Sequence, residues 1–117
     1  MKTLIAFLLL WIGSETNYNV NIPHPTVKMV SESTLEQMYY GDAKVEDHVH
    51  ALYDRSTDTI YVKDTFNHYN VFDKGILLHE LLHYVHDVND VVGNKFRCLA
   101  ESEAEIYPLQ KKYLLEV

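Results

Sequence analysis

The stretch GILLHELLHYVHD, residues 75–87, constrains this chain more than any other. With Ile76 as the origin and an advance of about 100° per residue, Leu77, Leu78, Leu81, Leu82, Tyr84, Val85 and Val88 share one broad arc of a helix. His79, His83 and His86 fall opposite, with Glu80 and Asp87 beside them. So wide an apolar arc has to be covered, and the other segments are read for what they lay against it. Asp73 is placed to cap the helix, which the pattern predicts from about Lys74 to Val88.

Ahead of it, HVHALYD and TDTIYVKD flank the turn-rich DRSTD. Val49, Ala51 and Tyr53 alternate with His50 and Leu52, and Ile60 and Val62 with Tyr61 and Lys63, which predicts a two-stranded antiparallel unit. TVKMV, residues 26–30, suits a further short strand. In SESTLEQMYYG, Ser33 and Glu36 have capping-box spacing and Gly41 is placed to end a helix. A last helix is predicted from about Lys95 to the end. The fold class expected is α+β: a small antiparallel sheet ahead of two crossing helices. TIYVK is read as an edge onto which an extended peptide can add as another strand.

With 117 residues, 47% of them apolar, the chain suffices for one compact domain, placed at residues 26–117. Residues 17–25, NYNVNIPHP, read as a linker. MKTLIAFLLLWIG has one early Lys and an apolar run too short for the roughly 20 residues of a membrane span. Residues 1–16 therefore read as a signal peptide or N-terminal membrane anchor, giving an exported (periplasmic or secreted) or tethered protein. The plainer reading is the first core element of a cytoplasmic protein. A formal net charge of -7, with no run of Lys or Arg, argues against nucleic acid and against an anionic membrane surface. The lone Cys98 excludes an internal disulfide, and packing is its default role.

His79 and His83, four residues apart, project from one helix face and can reach a single ion at Zn–N distances of about 2.0–2.1 Å. Glu80, rotated to the side, can take a proton from water without entering the coordination sphere. HExxH arises in a shuffled chain of this composition roughly 3% of the time, so the motif needs a third ligand. In the last helix Phe96, Leu99, Ile106 and Tyr113 form an apolar stripe, with Ala100, Tyr107 and Leu114 alongside. Glu103 completes that stripe between Leu99 and Ile106, and Gln110 completes it further on. A carboxylate there is costly unless partnered, whereas Glu101 and Glu105 lie off the stripe and are expected to face solvent. Two His and one carboxylate leave a fourth position open, as in a catalytic Zn2+ site.

HELLH followed by Glu103, with nineteen residues between His83 and that Glu, resembles the gluzincin metallopeptidases, particularly their thermolysin-like branch. More closely, LLHELLHYVHD…RCLAESEAEIYPLQKKYL is similar to small bacterial and phage-borne proteins whose pattern runs HELxH, a Cys, then ExEAYxLQ. The resemblance covers about residues 26–115 and implies His79, His83 and Glu103 as zinc ligands, Glu80 as catalytic base, and a peptide or protein substrate. Two departures stand out: Ile106 replaces an Ala, and Pro108 falls inside the last helix, where a kink or break just after Tyr107 is expected.

Other residues keep two readings. His86 is either a group hydrogen-bonding a ligand from behind or a solvated His; Tyr107 either aims its hydroxyl at an oxyanion or is an ordinary buried Tyr. His48, His50 and His68 sit near strand ends and loops, either close to substrate or simply on the surface. The rival to an enzyme is a non-catalytic, zinc-stabilised binding module.

Overall fold

The computed structural model describes residues 1–40, 50–89 and 99–116. In chain order these form α1 (Lys2–Glu15), β1 (Thr26–Val30), α2 (Glu32–Tyr40), β2 (Ala51–Asp54), β3 (Thr59–Lys63), α3 (Val71–Val88) and α4 (Leu99–Glu116). Val49, Gly41, Phe96, Cys98 and His48, which entered the sequence reading, lie outside the described residues.

The class is α+β, and the sheet is mixed rather than antiparallel. Its order is β1-β3-β2, with β2 antiparallel to β3 and β1 parallel to it. A parallel neighbour needs a long crossover, and the chain from Val30 to Thr59, carrying α2 and β2, supplies it. TIYVK is consequently the central strand and presents no edge; among the described residues the free edges belong to β1 and β2. The alternation read in β3 holds: Ile60 and Val62 are fully buried while Tyr61 and Lys63 face partly outward. Asp54 closes the following turn by accepting from the Ser56 backbone N–H (3.0 Å), and Asp58 ends it at φ 50°, a conformation Asp tolerates better than most residues.

α3 starts earlier than expected. Asn70, not Asp73, is its cap: Asn70 Oδ1 accepts from the N–H groups of Phe72 (2.9 Å) and Asp73 (3.1 Å). Asp73 instead accepts from Asn67 N–H and ties down the preceding turn. In α2 the cap likewise moves to Ser31, whose hydroxyl accepts from Thr34 N–H. Leu77, Leu78, Leu81, Leu82 and Val85 are fully buried and Tyr84 nearly so, which makes most of the arc the centre of the core; Val88, at its end, is exposed.

α4 lies along α3 with Ser102, Ile106 and Tyr113 inward. Pro108 does not break it; one helix continues to Glu116. The carbonyl that Pro108 leaves without a helical donor is that of Ala104, four residues back. Ala104 is on the exposed side, where water can serve it. α1 supplies Ile5, Leu8, Leu9 and Ile12 to the same core. Among the described residues, no helix is long and apolar enough to cross a membrane. Residues 17–25 carry no regular structure but are tied to α3: Tyr84 Oη donates to the Pro23 carbonyl (2.6 Å), and Asn19 and Asn89 exchange two hydrogen bonds.

Candidate metal centre

The α3–α4 packing brings His79 and His83 from one helix against Glu103 from the other. His83 Nε2 lies 2.7 Å from Glu103 Oε1, and His79 Nε2 lies 3.4 Å from Oε1 and 3.1 Å from Oε2. All three ligand atoms fall within 4.8 Å of one another, and among the described residues no other His, Cys, Asp or Glu triple converges in this way.

These residues fit a metal ion. Ligands at 2.0–2.1 Å in a tetrahedron stand about 3.3 Å apart, and the His–Glu separations of 2.7–3.4 Å bracket that spacing. Glu103 Oε2 is buried and makes no hydrogen bond. The second ring nitrogen of His79, Nδ1, lies 2.9 Å from Gln110 Oε1. A side-chain carbonyl can only accept, so with the amide in this orientation Nδ1 carries a proton; Nε2 is then either a lone pair open to an ion or, in the doubly protonated ring, a donor to Glu103. Lone pairs and a carboxylate repel unless a cation lies among them. Protonating His83 is one remedy, but burial holds its pKa below the ordinary histidine range, against the opposing pull of Glu103. A proton on His79 Nε2 is a second remedy, and a divalent ion bound by all three side chains is a third.

Glu80 stands next to His79 and, with His50, Ala51, Ile76, His79, Tyr107 and Gln110, lines a cleft of about 200 Å³. Burial, with the Glu103 carboxylate adding to it, raises the Glu80 pKa from 4.5 to about 7; His79 and the backbone N–H of Tyr53 pull it partly back. The Tyr53 N–H therefore points off the sheet toward the cleft, and Ala51, two residues earlier, faces the same way.

Tyr107 is not an interior packing residue. It is 60% exposed on the cleft rim, its ring 4.9 Å from that of His79. Glu103, followed by burial, raises its pKa above the usual phenol range, so it stays a proton donor. His86 is not solvated: it is fully buried, with Nε2 3.1 Å from Glu105 Oε1 and its ring 5.2 Å from Tyr18, which also donates to Glu105 (2.6 Å). Glu105 accordingly turns inward instead of facing solvent. Asp87 is held by the β2–β3 hairpin through Arg55 (3.1 Å) and Tyr53 Oη (2.9 Å), away from the ligands. His50 joins the cleft lining; His68 packs on Phe66 and is not part of it.

Gln110 is the residue whose role the sequence did not disclose. The signal was present, a polar side chain on an apolar stripe, the same anomaly that singles out Glu103.

The fold and site together define a class: a small α+β domain in which two packed helices bring two histidines and a glutamate to one point, with a buried carboxylate beside them. The chain belongs to the family described as Domain of unknown function (DUF6647), whose model matches residues 1–117. No curated protein and no solved structure matches it.

Proposed function

We propose that the chain is a zinc-dependent peptidase of the gluzincin type, with His79, His83 and Glu103 as ligands and Glu80 as general base. The observation that carries this reading is a carboxylate with a pKa near 7, standing beside a three-ligand cluster in a cleft open to solvent. Zinc held there would supply a Lewis acid, acidify water and polarise the scissile carbonyl.

The rest is done by the chain itself. Glu80 accepts the proton of the attacking water at its carboxylate and returns it to the leaving amine nitrogen. Tyr107, held protonated on the rim, donates to the carbonyl oxygen as it gains charge. His50, across the same cleft, is placed to share that task. The free edge of β2 at Ala51 replaces TIYVK as the place where an extended peptide adds a strand, because β3 is enclosed and Ala51 lines the cleft.

The size of the cleft favours the second reading. About 200 Å³ is below the roughly 300–1,000 Å³ of ordinary ligand sites, as suits a zinc-stabilised module that binds without turnover. One experiment separates the two. The full chain, dialysed without chelator, is expected to retain about one zinc, lost on Glu103→Ala, and to cleave members of a fluorogenic peptide library. Glu80→Gln is expected to keep the zinc and lose at least about 100-fold in rate. Zinc without cleavage by the wild type selects the binding module; absence of zinc ends both readings.

A further inference from the structure

We infer that Gln110 is a positioning residue of the metal centre, holding His79 with Nε2 bare and aimed inward. The inference rests on the metal-binding reading above.

A neutral imidazole has one donor nitrogen and one acceptor, and the hydrogen bond at one nitrogen decides what the other can do. His79 Nδ1 is 2.9 Å from Gln110 Oε1, while Nε2 faces the two oxygens of Glu103. Were the amide reversed, its NH2 would meet an Nδ1–H donor to donor, or would force the proton onto Nε2 and block the ligand position. Only the arrangement with Oε1 on Nδ1 leaves His79 able to bind an ion. Gln110 follows Glu103 by seven residues, two turns of α4, so both project toward the same side of that helix. One helix thus brings the carboxylate ligand and the acceptor that orients a ligand on the facing helix.

Gly75 is buried one turn before His79, and a Cβ there would stand in ordinary contact with Gln110 Nε2 at 3.8 Å and close to the terminal Cδ2 of Leu114 at 3.0 Å, so the amide is packed between the two helices.

The test is zinc affinity, measured by competition with a chromophoric chelator on the full chain, for wild type, Gln110→Glu and Gln110→Met. Glutamate keeps an acceptor and is expected to bind within about threefold of wild type. Methionine keeps length and apolar bulk but offers Nδ1 only a weak thioether, and is expected to lose about 10–100-fold. In the zinc-loaded protein, the His79 Nδ1 proton is expected to be protected from exchange in wild type and Gln110→Glu and unprotected in Gln110→Met. A merely structural role would lower the melting temperature of the chelator-treated protein while leaving that proton and the affinity as they are. Equal affinity for Gln110→Met and wild type overturns the inference, as does an unprotected Nδ1 proton in the wild type, which stands whether or not the methionine variant folds. A wild type that binds no zinc overturns the metal reading itself, and this inference with it.

Discussion

Replacing Glu80 with Gln tests the electrostatics of the site without any assumption about substrate. Glu80 has a pKa of about 7 in the folded, metal-free chain against 4.5 for a free carboxyl. Below pH 4.5 both states hold the proton and folding is unaffected. As pH rises toward 7, the unfolded chain ionises freely while the folded one resists, so stability falls, and it levels off above the folded pKa. At about 1.4 kcal/mol per pKa unit the full loss is about 3 kcal/mol. Gln is uncharged and its carbonyl can still accept from Tyr53 N–H, so it escapes that loss. With zinc removed by chelator, Glu80→Gln is expected to match wild type at pH 4 and to exceed it by up to about 3 kcal/mol at pH 7.5, or roughly 10 °C in melting temperature. His83, whose pKa burial depresses, favours the folded state as pH rises above its folded value, but both proteins carry it and it largely cancels in the difference. The assay is urea unfolding followed by circular dichroism across pH 4–8. A difference that is flat with pH, or a variant less stable at pH 7.5, refutes the claim that Glu80 is held protonated by burial.

Two further outcomes follow from the packing. Leu8→Ala, at a fully packed position of α1, is expected to cost about 2–5 kcal/mol by urea unfolding; a change below about 0.5 kcal/mol would mean that α1 is not part of the core. Pro108→Ala restores a helical N–H opposite the Ala104 carbonyl and is expected to stabilise the chain by about 1–3 kcal/mol, with zinc content unchanged.

What could be read from the sequence depended on distance along the chain. The apolar arc of α3 and the intrusion of Glu103 into the α4 stripe are local patterns; most of the arc is buried, and Glu103 does stand against His79 and His83. The wheel also placed His86 on the azimuth of His79 and His83, yet azimuth does not say what covers each turn. Tyr18 and Glu105 arrive there from opposite ends of the chain and bury it. The choice between Asn70 and Asp73 as cap could not be made locally, since either side chain serves; it was decided by which one was needed at Asn67. Strand order is likewise a long-range property. Nothing within TVKMV or TIYVK tells whether the two run parallel, and the mistaken edge at TIYVK followed from that. Gln110 was visible as an oddity, but its partner His79 lies on the facing helix, and the packing of α4 on α3 that joins them is not a local pattern.

The ends of the chain are clasped. Trp11 Nε1 donates to Glu116 (3.0 Å), its ring stands edge-on to Tyr113, and Lys112 pairs with Glu15. At a synthesis rate of about 5–20 residues per second, some 5–20 s separate α1 from the last turn of α4 on the ribosome. Throughout that interval Ile5, Leu8, Leu9 and Ile12 have emerged without the helices that will cover them. The same late arrival of α4 makes Glu103 the last member of the His79–His83–Glu103 cluster to be synthesised.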